Sequence, residues 1–328
     1  MELTTVWFLL IAGLWTGYFV LEGFDFGVGA LVRVLGRDEP ERRAVITTIG
    51  PVWDGNEVWL VMAGAAMFAA FPEWYATVFS GFYLPLFAIL VALILRGVAI
   101  EYRGKRADLE WRGRMDTVIT VGSVLPPLLW GIVFANLVRG VPLDASHEYV
   151  GGLGELLNPF ALLGGLTFTA VFVAHGAIFL ALRTTGVLRE RANRLARQVG
   201  VVAAVLAVAF LWWAQALRGD IASAVVAAAA AAAFVGGLIA NRLGREGWAF
   251  TGSAVATGLA VVSLFAALFP AVLPSTLSPE TTLTVAEAAS TAYTLKILTI
   301  IAGIFTPLVL LYQGWTYWVF RKRVVVAA

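Results

Sequence analysis

Nine long apolar segments constrain the fold of this sequence more than any other feature. They lie near residues 6–35, 52–71, 75–102, 115–138, 159–183, 198–217, 221–240, 248–269 and 293–320. An apolar segment of about 20 residues has the length of a transmembrane helix. Membrane β-strands alternate apolar and polar residues, whereas these segments are apolar on all sides. The sequence therefore predicts an all-α polytopic membrane protein with nine transmembrane helices, in a single integral membrane domain over residues 1–328.

The composition agrees with a membrane protein and excludes several kinds of chemistry. Charged residues make up 13% of the chain, whereas soluble domains contain about 25%. The absence of cysteine excludes disulfides, thiolate metal ligands and thiol nucleophiles. The two histidines, His147 and His175, limit the metal or haem chemistry of the chain. We expect neither a metal site nor a nucleic-acid partner.

The basic residues between the apolar segments alternate from one loop to the next. Nineteen of them lie in the first, third, fifth and seventh loops and after the last segment, and two, Arg139 and Arg218, lie in the other loops. Basic loops stay in the cytoplasm, so this pattern predicts an N-terminus outside and a cytoplasmic C-terminus. A missing or extra helix would break the alternation, which therefore also supports nine spans.

Ionisable residues inside the first segment are the first candidates for function. A charge at the centre of a membrane helix costs about 2.5–3.5 kcal/mol on insertion. Glu22 and Asp25 are three residues apart in EGFDFGVG, residues 22–29, and so share one helix face. Asp25 precedes Arg33 by about 12 Å of helix, which predicts a position in the cytoplasmic half of the membrane.

A second acidic pair begins the next segment. Asp54 and Glu57 lie one helical turn apart in GPVWDGNEVW, residues 50–59, at the predicted cytoplasmic level. Carboxylates that enter an apolar region from the basic side are typical of a proton inlet. We predict a proton path containing Asp25 and Asp54, with Glu22 and Glu57 as further candidates.

A structural interpretation of the same residues stays open. Glu22, Asp25 and Asp54 could pair with Arg96 to hold helices together, with Arg96 as their counter-ion. Glu57 could be a helix-start charge at the membrane interface. His175 is interpreted as a hydrogen-bonded core histidine, because a membrane haem needs paired axial ligands.

Ten sequence motifs resemble those of subunit II of the cytochrome bd quinol oxidases, and they cover nearly the whole chain. They include EGFDFGVG at 22–29, IGPVWDGNEVWL at 49–60, FSGFYLP at 79–85, LRGVAIEYRGK at 95–105, GSVLPPLLWG at 122–131, LNPFALLGG at 157–165 and LFPAVLPSTL at 268–277. The pairing of WDGNEVW with GFDFGVG is specific, and the full pattern resembles actinobacterial-type members. The family pattern includes Asp at the position of Glu22, and either residue is a carboxylate.

This resemblance implies a heterodimer in the bacterial cytoplasmic membrane. A similarly folded subunit I would hold the two b-type haems and haem d, and the complex would oxidise quinol and reduce dioxygen to water. The chain alone would have no haem and no redox activity. The resemblance also implies two four-helix bundles, here residues 6–138 and 159–269, plus a ninth helix at 293–320.

The resemblance further implies roles for individual residues. The positions of Asp25 and Asp54 would line a proton path from the cytoplasm to the oxygen-reducing haem, with Trp53, Asn56 and Arg96 in support. A structural quinone, membrane lipid and a small accessory subunit are further implied partners, without assigned residues.

Two other functions compete with this interpretation. Intramembrane carboxylates also suit a proton-coupled secondary transporter, but transporters usually break helices near the midplane. Here the prolines lie mostly near the ends of the predicted spans, with Pro126, Pro127 and Pro307 as the interior exceptions. A haem-carrying cytochrome b is disfavoured by the presence of only two histidines.

Overall fold

The computed structural model describes residues 2–326, and these are predominantly helical. The helices are α1 (Leu3–Leu35), α2 (Glu39–Ile49), α3 (Trp53–Ala70), α4 (Pro72–Gly81), α5 (Tyr83–Arg103), α6 (Leu109–Arg139), α7 (Leu153–Leu156), α8 (Pro159–Arg183), α9 (Gly186–Arg218), α10 (Ile221–Arg242), α11 (Glu246–Leu268), α12 (Val285–Ala288) and α13 (Ala292–Val319). Between α11 and α12, β1 (Ala271–Leu273) and β2 (Leu283–Thr284) form a small antiparallel pair, and Pro279–Thr281 forms a 3₁₀ turn.

Eight helices in the described part of the chain are long and apolar enough to cross a membrane. They are α1, α5, α6, α8, α9, α10, α11 and α13. The remaining predicted span corresponds to α3, a helix of 18 residues whose first turns contain Asp54, Asn56 and Glu57. Eight of the predicted spans are thus confirmed as membrane-length helices, and the ninth stays a prediction.

Two predicted segments have different boundaries in the structure. The segment predicted from residue 75 is wrong at its start, because Pro72 begins the separate helix α4 and α5 begins only at Tyr83. Helix α9 begins at Gly186, twelve residues before the predicted span at 198. Its early turns are amphipathic, with Leu188 and Ala192 buried on one face, so they pack against the protein despite their arginines.

The segments rich in basic residues meet at one end of the molecule, here called the arginine-rich end. Ion pairs and hydrogen bonds join them: Arg103 Nη2 to Glu39 Oε2 at 2.7 Å, Arg191 to Glu41, Arg189 Nη2 to Glu246 Oε1 at 2.6 Å, and Arg323 Nη2 to Glu246 Oε2 at 3.5 Å. The segments that are rich in basic residues, which alternate along the sequence, therefore lie together in the structure. Which side of the membrane this end faces stays a prediction.

The loops poor in basic residues gather at the other end. Trp7 Nε1 donates to Leu295 O at 3.2 Å, and Val141 N donates to Pro274 O at 3.0 Å. Ala70, the last residue of α3, accepts a 2.9 Å hydrogen bond there through its carbonyl oxygen. Helix α3 therefore runs from one end of the molecule to the other over about 27 Å, close to the thickness of a bilayer core.

Helix α1 is the central element of the structure. It contacts α3, α6, α8, α11 and α13. Its closest approach is to α8, where a Cβ atom on Gly176 would lie 2.6 Å from the Gly27 Cα atom. Helix α6 also packs directly on α8, so the two predicted four-helix bundles share a large interface. Their separation into two bundles stays a prediction.

The helices that contain interior prolines are continuous. Helix α6 passes through Pro126 and Pro127, and α13 passes through Pro307, without interruption. Neither has the discontinuous form that secondary transporters use at a substrate site.

Candidate functional site

Arg96 is the centre of a buried polar cluster. Its side chain is 0% exposed. Its Nη1 atom donates to Glu22 Oε1 at 2.6 Å and to Glu57 Oε1 at 3.0 Å, and its Nε atom donates to Ser123 Oγ at 3.1 Å. One guanidinium group therefore links α1, α3, α5 and α6.

Small and aromatic residues make room for this arginine. A Cβ atom on Gly122 would lie 2.9 Å from the Arg96 Cβ atom, so only glycine permits this approach of α6 to α5. The guanidinium lies 5.1 Å from the centre of the Phe26 ring, a cation–π distance. Trp53 packs over Gly97, where an added Cβ would lie 3.1 Å from the indole. Trp53, which was predicted to support the proton path, thus packs against α5.

Asp25 lies one turn further along α1 and has different partners. It is 0% exposed, and its Oδ2 atom accepts a hydrogen bond from Asn56 Nδ2. The Oδ1 atom of Asn56 accepts from Tyr317 Oη at 2.7 Å and from Gln313 Nε2 at 3.1 Å. These two donors fix the orientation of the amide, so that its NH₂ group faces Asp25.

Three buried atoms of the cluster lack a hydrogen-bond partner among residues 2–326. They are Glu22 Oε2, Asp25 Oδ1 and Arg96 Nη2. Buried polar atoms are nearly always bonded, so these three atoms are positions that can take a further hydrogen-bond partner. In addition, one guanidinium cannot neutralise three neighbouring carboxylates, which favours proton binding at the cluster.

The remaining predicted acid, Asp54, lies at the surface of the chain. Its side chain is exposed and accepts a 2.8 Å hydrogen bond from the Gly55 backbone. Glu57 is partly buried, with its side chain 24% exposed. Because it forms an ion pair with Arg96, it is not an isolated charge at the start of a helix. The structure thus brings Glu22, Glu57 and Arg96 together, and leaves Asp54 outside the buried cluster.

Sequence reasoning missed three uncharged members of the site, namely Ser123, Gln313 and Tyr317. A search for ionisable residues in apolar segments does not detect them. Gln313 and Tyr317 are four residues apart and share one face of the otherwise apolar α13. Two polar residues on one face of an apolar helix are a sequence signal that could have identified Gln313 and Tyr317 as members of the site.

His175 is confirmed as a hydrogen-bonded core histidine. Its Nδ1 atom lies 2.7 Å from Ser253 Oγ, and its Nε2 atom lies 3.2 Å from the Val20 carbonyl oxygen. The ring stacks on Phe250 with centroids 4.8 Å apart. Within residues 2–326, no group of three or more histidine, aspartate and glutamate side chains is arranged to hold a metal ion.

The fold and the site define a polytopic helical membrane protein with a buried arginine–carboxylate cluster. The chain belongs to the cytochrome bd terminal oxidase subunit II family, whose sequence model matches residues 3–320. This membership confirms the resemblance found in the motifs and places the protein in the bacterial cytoplasmic membrane.

Two curated relatives show how far the similarity extends. Cytochrome bd ubiquinol oxidase subunit 2 of Bacillus subtilis (strain 168) is 44% identical, over 98% of this chain and 97% of the relative. Cytochrome bd-I ubiquinol oxidase subunit 2 of Escherichia coli (strain K12) is 34% identical, over 97% of this chain and 94% of the relative.

A solved structure shares the fold. A chain in the structure of bd oxidase from Geobacillus thermodenitrificans superposes with a TM-score of 0.78 at 19% sequence identity, covering 98% of this chain and 100% of that chain. At this identity the match concerns the fold alone. Together with family membership, it disfavours the transporter alternative.

Proposed function

We propose that this chain is the haem-free subunit II of a quinol:oxygen oxidoreductase and supplies protons to a haem-bearing subunit I. The observation that best supports the proposal is the buried cluster, in which Glu22, Asp25 and Glu57 surround the single cation Arg96. Reduction of dioxygen to water consumes protons, and a buried acidic cluster that reaches the surface can deliver them. The b-type haems and haem d belong to subunit I in this proposal.

The proposed route begins at Asp54, whose exposed carboxylate exchanges protons with water. Glu57 follows one helical turn further and is half-buried. Glu57 and Glu22 both accept from the same Arg96 nitrogen, which holds the two carboxyl groups side by side. In the proposal a protonated Glu57 gives its proton to the Glu22 carboxylate, directly or through one water molecule, and the guanidinium keeps its own protons. Glu22 Oε2, which has no partner in the described chain, is the acceptor atom at the inner end of this step.

Asp25, one helical turn nearer the arginine-rich end than Glu22, is the other fully buried proton carrier in the proposal. Asn56 donates a hydrogen bond to the Asp25 Oδ2 atom, and hydrogen bonds from Tyr317 and Gln313 hold Asn56 in place. The Oδ1 atom is therefore the position at which Asp25 can gain and lose a proton. Trp53 and Arg96 act as positioning residues, because they pack or pair without changing protonation state.

The membrane arrangement forms part of the same proposal. Helix α3 is the ninth span, which puts the N-terminus outside and the arginine-rich end in the cytoplasm. Asp54, at the start of α3, then faces the cytoplasm. Residues 6–138 and 159–269 form the two four-helix bundles, and α13 is the additional helix. A structural quinone and a small accessory subunit stay predictions without assigned residues.

Quinol-driven oxygen uptake by the purified complex tests the proposal. We expect Asp25→Asn and Asp54→Asn to slow turnover about tenfold or more, since proton transfer by a positioned side chain contributes about 10²–10⁴-fold. Haem spectra should stay normal, because these residues bind no haem. Glu101→Gln is the matched control, since Glu101 is an exposed carboxylate at the arginine-rich end of α5.

Two results would contradict the proposed role. Turnover of both Asp variants equal to that of Glu101→Gln would exclude them from the proton route. Loss of haem d from a folded Asp25→Asn complex would instead indicate a structural role for that residue.

A further inference from the structure

A large cavity lies at the arginine-rich end, outside the cluster described above. Its volume is about 570 Å³, within the range of about 300–1,000 Å³ that is typical of small-molecule sites. The first turns of α9, the end of α10 and the start of α11 enclose it. Nothing in the proposed proton route uses these residues.

The lining of the cavity is positively charged. Arg189 is neutralised by Glu246, whose Oε1 atom lies 2.6 Å from Arg189 Nη2. Three further arginines line the cavity and form no ion pair with any residue in the described chain: Arg194, Arg197 and Arg242. Glu190 is the other acid in the lining. Three guanidinium groups from two helices therefore face a concave space with one acid left to balance them.

The N-terminus of α9 adds to this positive potential. Helix α9 begins at Gly186, which lines the cavity, and it has neither a side-chain hydrogen bond at its N-cap nor an acidic residue in its first turn. Helix α11 differs, because the Glu246 carboxylate stands in its first turn. An uncapped N-terminus presents free N–H groups and a partial positive charge, which favour an anion such as phosphate.

A buried acceptor in the lining suggests what accompanies the anion. Asn241 is 2% exposed, and its Nδ2 atom donates to Asn193 Oδ1 at 2.6 Å. Its Oδ1 atom has no partner among residues 2–326. A buried carbonyl oxygen gains most from a hydrogen-bond donor, such as a hydroxyl group carried by the bound anion.

An exposed apolar surface follows the charged cavity along α9 toward the middle of the membrane. Val201, Val205 and Val208 are 47%, 65% and 53% exposed. Val201 and Val205 follow Arg197 by four and eight residues on the same helix face, so this surface begins about 6 Å from the charged cavity. A charged cavity beside an exposed apolar helix surface has the geometry of a headgroup with its acyl chain.

We propose that this cavity binds one anionic phospholipid whose headgroup carries a hydroxyl, of the phosphatidylglycerol class. Arg194, Arg197 and Arg242 hold the phosphate, Asn241 Oδ1 accepts from the headgroup hydroxyl, and an acyl chain lies along the exposed apolar surface of α9. Basic pockets between membrane helices are known to hold lipid headgroups in this way. Inorganic phosphate would satisfy the arginines but would leave this apolar surface uncovered.

Native mass spectrometry of the delipidated complex tests this proposal by titration with phosphatidylglycerol or phosphatidylcholine. We expect one phosphatidylglycerol to bind more tightly than phosphatidylcholine. The triple variant Arg194→Gln/Arg197→Gln/Arg242→Gln should weaken that binding roughly 100-fold. The matched control Arg37→Gln/Arg43→Gln/Lys105→Gln removes the same charge from exposed positions at the same end and should leave binding unchanged.

A variant of the apolar surface separates lipid from free phosphate. Val201→Gln/Val205→Gln should weaken phosphatidylglycerol binding while the arginines stay in place, whereas a site for free phosphate would not respond. Equal binding of the two lipids would overturn the proposal, as would equal affinities of the triple variant and its control. An unchanged phosphatidylglycerol affinity in Val201→Gln/Val205→Gln, with displacement of the lipid by inorganic phosphate, would also overturn it. Arg194 and Arg242 are exposed, so the double variant Arg194→Gln/Arg242→Gln provides the same test without a folding defect.

Discussion

Arg96 has one ion-pair partner, Glu22, that is as buried as the arginine itself, and this sets the energetic role of the residue. The ion pair with Glu22 has both side chains 0% exposed. Removing one partner of such a pair leaves an uncompensated charge in apolar surroundings, which is far more costly than losing an exposed pair. The same residue therefore stabilises the helix packing and holds the carboxylates of the proposed proton route.

We predict that Arg96→Gln destabilises the complex by about 3–5 kcal/mol, because Glu22 and Glu57 lose their counter-ion. Thermal unfolding of the purified complex measures the effect. Arg114→Gln is the control, since the Arg114–Glu110 pair is 71% and 72% exposed and such pairs contribute up to about 1 kcal/mol.

A double variant separates the charge effect from lost packing. Adding Glu22→Gln to Arg96→Gln should recover part of the stability, because fewer buried charges then lack a partner. Equal destabilisation by Arg96→Gln and Arg114→Gln would contradict the account of a buried ion pair.

At this scale the sequence predicted the charged members of the site and offered the Glu22–Arg96 pair as one interpretation, but it did not predict the partners of Glu57 and Asp25. Glu22, Asp25 and Arg96 were identified because charges in apolar segments are rare. Which side chain each of them contacts depends on how each helix is rotated about its axis. In the structure that rotation places Glu57 against Arg96 and Asn56 against Asp25. Sequence periodicity alone does not specify that rotation when the helices are apolar on all sides.

Among the elements, α1 and α8 form the contact that most depends on residue size. At Gly27 an added Cβ would meet the backbone of Phe172 and Gly176, and backbone atoms cannot move aside as a flexible side chain can. Glycines at such crossings let membrane helices approach closely. This contact positions the α1 turn that contains Asp25.

We predict that Gly27→Ala destabilises the complex by about 1–3 kcal/mol, the usual cost of inserting a methyl group into a packed contact. Gly13→Ala, on the same helix, is the control because no atom lies within 4 Å of the added Cβ. Unfolding temperatures of the two variants provide the comparison. Similar temperatures would mean that α1 and α8 do not depend on this close approach.

The sequence predicted most elements well, and its errors have local causes. Apolar length alone identified the helices because a bilayer span requires it. The start of α5 was misplaced since Pro72–Gly81 is apolar enough to resemble part of a span, although it forms its own helix. The early turns of α9 were missed because their stability comes from packing of one amphipathic face.

For the whole molecule, the two ends differ in charge, and α3 decides how many times the chain crosses the membrane. The native sequence has no cysteine, so single cysteines report their side of the membrane without background labelling. Arg43 precedes α3 and Glu73 follows it, and neither is part of the proposed proton route.

We predict that Arg43→Cys and Arg321→Cys are labelled by an impermeant thiol reagent only from the cytoplasmic side. Glu73→Cys should be labelled only from outside, because α3 spans the membrane. Labelling of Glu73→Cys and Arg43→Cys from the same side would contradict the nine-span arrangement.

The gathering of the basic segments at one end was accessible from the sequence, whereas features that need a partner were not. Basic residues mark one end because their transfer across a membrane is disfavoured, and the structure brings those segments together. Helix α13 is mostly exposed along its length in the isolated chain. No pattern within one sequence specifies the surface of another chain.

The central claim is that Glu22, Asp25 and Glu57 carry protons for oxygen chemistry in a neighbouring subunit. Its most direct test is proton uptake in a single turnover, measured with a pH-indicator dye after the fully reduced complex is mixed with oxygen. The account predicts that Asp25→Asn slows proton uptake about tenfold or more while Glu101→Gln does not. Proton uptake in Asp25→Asn that is as fast as in the unmodified complex would contradict it.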